Sequence, residues 1–70
     1  MKLQINGDVR EFSSPLSLVS LLQEMGLKAD RVAVELNRNI VPRDRWAATS
    51  LQEGDQLEIV HFVGGGSIFF

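Results

Sequence analysis

The chain has no cysteine. That excludes disulfides, thiolate metal ligands and a thiol nucleophile, so any sulfur chemistry would have to happen away from its side chains. It has one histidine, His61, with no carboxylate at ligand spacing around it. A place on a sheet surface, touching a partner at most, fits such a residue better than a metal ligand or general base. No apolar run approaches the roughly 20 residues that span a bilayer, and the opening "MKLQING" lacks an apolar segment of signal-peptide length. A cytoplasmic protein without membrane contact is expected. Basic residues are few and scattered, at Lys2, Arg10, Lys28, Arg31, Arg38, Arg43 and Arg45, within a net charge of -2. Nucleic-acid binding needs a concentrated basic face, which this pattern does not supply. After Glu58 no Asp, Glu, Lys or Arg occurs, so the last stretch is apolar and glycine.

What is present is enough for one small core. The 44% hydrophobic and 23% charged shares are those of a folded soluble domain. At 70 residues, without disulfides or metal, every element must pack on the others.

The residue period changes along the chain. "MKLQINGDVREF" alternates Leu3 and Ile5 against Lys2 and Gln4, breaks at Asn6-Gly7, and resumes with Val9 and Phe12. Asn-Gly between alternating runs signals a β-hairpin, since both central residues of a type I′ turn need positive φ; a turn at Gly7-Asp8 shifts the register by one. "SSPLSLVSLLQEMGL" places Leu18, Leu21, Leu22 and Met25 on one helical stripe. Ser17 caps it, or Ser14 with Pro15 at the first helical position, and Gly26 ends it. "RVAVELN" returns to period two with Val32, Val34 and Leu36 on one face, followed by a turn at Arg38-Asn39, a short strand "NIV", and a stop before Pro42. "RDRWAATSL" predicts a turn or single helical turn with Trp46 and Leu51 inward, and "QLEIVHFV" a last strand.

The expected order is β-β-α-β-β-β. The fold class is α+β, with one main helix across a mixed sheet of four to five strands and the first and last strands side by side in its middle. This is the β-grasp, or ubiquitin-like, arrangement, which pattern alone does not separate from other small α+β sheets. Residues 1–63 form the domain and 64–70 a flexible C-terminal tail.

The tail, "HFVGGGSIFF", is unusual, because a glycine run so near the end leaves little chain for a loop to lead into. A phosphate-binding loop would need its Lys and Ser/Thr, and a dinucleotide fold a following helix; neither is here. Arg43, Asp44 and Arg45 fit a solvated surface, and the acids show no pairing that suggests acid-base work.

The stretches "LQINGD", "SLVSLL", "VAVELNRNIVPRDRW", "LQEGDQLEIV" and "HFVGGG" together resemble the ThiS-type sulfur carriers of thiamin biosynthesis, in the ubiquitin-like ThiS/MoaD superfamily, over Met1 to Gly66. The resemblance implies a protein co-substrate rather than an enzyme, with no bound cofactor. The Gly66 carboxylate would attack the α-phosphate of ATP held by an E1-like adenylating enzyme of the ThiF/MoeB type. A persulfide sulfur would then displace AMP, and the resulting thiocarboxylate would feed a thiazole synthase of the ThiG type. Gly64 and Gly65 would thread the partner's channel, and Phe62 and Val63 would be apolar docking contacts. Other sulfur pathways (molybdopterin, amino-acid or siderophore synthesis) and a ubiquitin-like modifier or binding module are the alternatives.

The family pattern ends on Gly-Gly, whereas this chain continues with Ser67, Ile68, Phe69 and Phe70. While they remain, Gly66 offers an amide carbonyl, which cannot be adenylated. The preferred expectation is trimming after Gly66, with a zinc metalloprotease as processing partner. The tail docking on the body or on another molecule, or being a vestige or artefact, are the others.

Overall fold

A computed structural model describes residues 1–63 and 67–69. Strands β1 (Lys2–Ile5) and β2 (Asp8–Glu11) form the opening hairpin. Ile5 pairs with Asp8, and Asn6 and Gly7 take φ of 50° and 89°, the two positive values of a type I′ turn. Of the two registers the sequence allows, the Asn6-Gly7 turn is the one formed.

Helix α1 spans Leu18–Glu24. The Ser17 side chain accepts the Ser20 amide at 3.1 Å, so Ser17 and not Ser14 is the cap. Gly26, at φ 71°, donates to the Gln23 carbonyl while Leu27 donates to that of Leu22. This is the paired closure of a helix on a left-handed residue. Leu18, Leu21 and Leu22 are buried, and Met25 packs at the core's edge.

A 3-10 turn (Ala29–Arg31) leads into β3 (Val32–Leu36), which turns back into β4 (Asn39–Ile40). Leu36 pairs with Asn39, and Asn37 and Arg38 have φ of 48° and 71°. The turn therefore lies one residue earlier than the Arg38-Asn39 expected from sequence. The reason is steric: the first positive-φ position falls to Asn37, a residue type that tolerates it. Arg38 does not share that tolerance. Arg38→Gly is expected to raise the unfolding free energy by roughly 1 kcal/mol in urea denaturation, by removing a left-handed penalty from a β-carbon-bearing residue. An unchanged midpoint would mean that the arginine side chain repays the strain.

A second 3-10 helix (Arg43–Ala48) carries Trp46 inward, 2% exposed, with its indole Nε1 donating to the Val41 carbonyl at 2.8 Å. The tryptophan points inward, as expected from the sequence, and is a full member of the core. Strand β5 (Gln56–Val63) follows, and then β6 (Ser67–Phe69).

The sheet order is β2-β1-β5-β3-β4, with β6 added on β5. β1 and β5 are parallel and the other pairs antiparallel, giving the mixed sheet whose central pair joins the first strand to the long late one. Alternation directs Leu3, Ile5, Val32, Val34, Leu57 and Ile59 to one face, where Leu16, Leu18, Leu21, Leu22, Trp46 and Leu51 complete a single core. The fold is the expected α+β sheet with one helix across it.

Candidate functional site

The site is built around the exit of β5, because that strand delivers the chain to the glycines. β5 is held on both sides. β1 pairs with Gln56 and Leu57, and β3 runs along Leu57 to His61.

Two asparagine side chains extend this grip. Asn6 accepts the Ile59 amide on Oδ1 at 2.7 Å, and its Nδ2 donates to the Ile59 carbonyl at 3.2 Å. The side-chain amide thus stands in for a further peptide unit of β1. Asn37 accepts the Gln56 amide on Oδ1 at 3.0 Å and donates through its backbone N–H to the Gln56 carbonyl at 2.7 Å. Its Nδ2 reaches Asp55 Oδ1 at 3.0 Å. Sequence reading recognised Asn6 only as a turn residue and missed both clamps. The signal available was the asparagine at the first position of each hairpin turn, which leaves a short amide beside the neighbouring strand.

Beyond the clamps, Phe62 is half-buried and lines a hollow of about 270 Å³ with Trp46, Val41 and Pro42. It is already partly committed to the body, with part of the ring open to a partner. Val60 and Phe62 lie on the sheet face away from α1 by alternation, as does Ala33 opposite Val60. Ile40, 77% exposed, sits opposite Glu35 on the same face. An apolar patch without a helix over it therefore adjoins the strand's exit. His61 is exposed near the end of β5, as its lone position implies. Among the described residues, no three His, Asp or Glu side chains gather as metal ligands.

Val63 is the last residue of β5, and its backbone pairs with Ser67. Gly64, Gly65 and Gly66 lie outside the described residues. Of the segment 64–70, read from sequence as a flexible tail, Ser67–Phe69 form β6, antiparallel to His61–Val63.

The family model described as the ThiS family matches residues 3–66. A sulfur carrier protein ThiS from Bacillus subtilis (strain 168) is 40% identical over 65 residues, covering 91% of this chain and 98% of that protein. A thiazole synthase from Paramagnetospirillum magneticum is 49% identical over 67 residues, 96% of this chain; the chain spans only 21% of that protein's length. Among solved structures, the crystal structure of a thiamine biosynthesis protein (ThiS) from Geobacter metallireducens superposes with a TM-score of 0.82 at 33% identity, covering 94% of this chain and 100% of that one.

Proposed function

The chain belongs to the ThiS family of sulfur carriers of thiamin biosynthesis, and from that premise we propose that Gly66 is the atom-transferring end, after hydrolysis of the Gly66–Ser67 bond. The observation that carries this reading is where the family match stops: it runs through Gly66 and leaves Ser67 to Phe70 outside.

The chemistry follows from the exposed carboxylate. Held in an activating enzyme of the ThiF/MoeB type, it attacks the α-phosphorus of ATP and pyrophosphate leaves. The terminal sulfur of a persulfide attacks the acyl carbon and AMP leaves. A second thiolate then cleaves the S–S bond, so that one sulfur stays on the acyl carbon as thiocarboxylate and the donor pair ends as a disulfide. The carrier is consumed and regenerated as a co-substrate, and ATP is the partner's. Gly64 and Gly65, without β-carbons, can pass a narrow channel that side chains would block. The asparagine clamps on β5 fix where the arm leaves the body, and Phe62 and Val63 sit beside that exit as docking contacts.

Among the sulfur pathways, the similarity to a thiazole synthase of which carrier-like sequence is about a fifth favours a ThiG-type acceptor: in that relative, carrier and synthase sequence share one polypeptide. We place the reaction in the cytoplasm; among the described residues no helix is long and apolar enough to cross a membrane.

The test uses the chain ending at Gly66 beside the 70-residue chain, each with ATP, an activating enzyme and a persulfide source. Intact-mass spectrometry should show one oxygen exchanged for sulfur in the shorter chain only. A lysine-linked adduct would point to a protein modifier instead. No acyl-adenylate from the shorter chain would overturn the reading.

A further inference from the structure

The far end of β5 has an edge that β1 does not reach. β1 stops at Ile5, opposite Leu57, and the Asn6 side chain serves Ile59. Along a strand, successive residues direct their N–H and C=O to opposite sides. Ile59 directs its pair toward Asn6, so His61 and Val63 direct theirs the same way, beyond the end of β1. Ser67–Phe69 occupy that edge: His61 stands opposite Phe69, Phe62 opposite Ile68, and Val63 opposite Ser67. By the same alternation, the first and last of these are the hydrogen-bonded pairs.

The pairing fixes how far Ser67 stands from the end of β5. Hydrogen-bonded residues opposite each other in an antiparallel ladder have Cα atoms about 5.5 Å apart. The same stretch from Val63 to Ser67, fully extended, spans up to ~13 Å at about 3.3 Å per residue. β6 on β5 therefore holds Ser67 back against Val63, well short of that reach.

Resting on the reading of residues 64–66 as the working arm, we propose that Ser67–Phe69 is an intramolecular strap, which covers the β5 edge at His61–Val63 and holds Ser67 beside Val63 until the Gly66–Ser67 bond is cut. Hydrolysis adds water across that bond, leaving a carboxylate on Gly66 and an amine on Ser67. The released segment then loses the high effective concentration that its tether gave it. Among the described residues three pairs hold the strap, and short strand pairs are marginal on their own. The device is firm while tethered and is lost once cut. Cleavage thus makes the reactive end and frees the β5 edge in one event.

Backbone amide hydrogen exchange and cross-strand NOEs test this on three proteins: the 70-residue chain, the chain ending at Gly66, and full-length Phe69→Pro, which removes a ladder donor while keeping the length. In the intact chain a Phe62–Ile68 Hα–Hα NOE is expected, and the His61 amide should exchange at least about tenfold more slowly than in the other two. The Glu58 and Val60 amides, which face β3, should exchange alike in all three. His61 exchanging equally in all three, or Phe69→Pro as protected as the intact chain, would overturn the strap. A chain ending at Gly66 that loses His61 protection yet is never adenylated would refute the arm's function while upholding the strand pairing, so the two failures are told apart.

Discussion

In a chain ending at Gly66, Gly65→Val is expected to cut acyl-adenylate formation by about 100-fold or more while leaving thermal unfolding where it was. The two halves of this prediction have separate physical sources. Residue 65 lies past Val63, the last residue of β5, and among the described residues every buried core residue lies at or before Ile59. The described core is therefore expected to keep its stability when residue 65 is substituted. The activation step is different. The carboxylate has to approach the α-phosphorus in line, and a misplacement of about 1 Å at such a step can cost on the order of 100-fold. Valine adds a branched β-carbon where the arm must pass a close-fitting channel, and it removes the wide φ/ψ range open to glycine. Gly65→Ala should fall between, since it adds one methyl group and no branching. Pyrophosphate release measured at saturating chain separates a positioning defect, seen in kcat, from a docking defect, seen in KM. A valine variant activated at the rate of the unsubstituted chain would show that the arm meets no narrow passage.

Most of the body was legible because local signals and global fold agree. The Asn6-Gly7 turn, the Leu18, Leu21 and Leu22 stripe with Ser17 before it and Gly26 after it, and the alternation of Val32, Val34 and Leu36 each carry their structure within a few residues. The parallel pairing of β1 with β5 links residues far apart in sequence; it was expected from the fold rather than readable from either strand. The parts that escaped are long-range or short. The Asn6 amide meets Ile59 across 53 positions, and no local pattern marks an asparagine as a future rung of a ladder. β6 has three residues directly after a glycine run, too few for alternation to show, so the segment read as tail. The role of Gly66 was legible only through likeness to a family. Three glycines state that a backbone must go where side chains cannot, but not what chemistry waits there.

Trp46→Ala is expected to destabilise the protein by about 3–5 kcal/mol, the usual range for truncating a buried tryptophan. For this chain that is close to a loss of fold. Native stability runs near 0.05–0.15 kcal/mol per residue, or roughly 3.5–10 kcal/mol at this length. The residue is 2% exposed and belongs to a core of twelve buried residues among those described, so its neighbours have few alternatives for filling the space. It also closes a local circuit: the indole donates to the Val41 carbonyl at 2.8 Å, tying the 3-10 helix to the chain leaving β4. Trp46→Phe separates the two contributions. It keeps most of the apolar volume and loses the hydrogen bond, whose net worth is about 0.5–1.5 kcal/mol where the acceptor can still reach water. Val41 is only half-buried, which favours that milder case. Urea unfolding followed by far-UV circular dichroism should therefore place the phenylalanine variant between the unsubstituted chain and the alanine variant. The alanine variant should be largely unfolded without denaturant near physiological temperature. Because Trp46 and Phe62 line the same hollow, the loss should also loosen the exit of β5. An alanine variant with an unshifted midpoint would mean that the hollow collapses at no cost, and that the tryptophan does not hold the arm's base to the body.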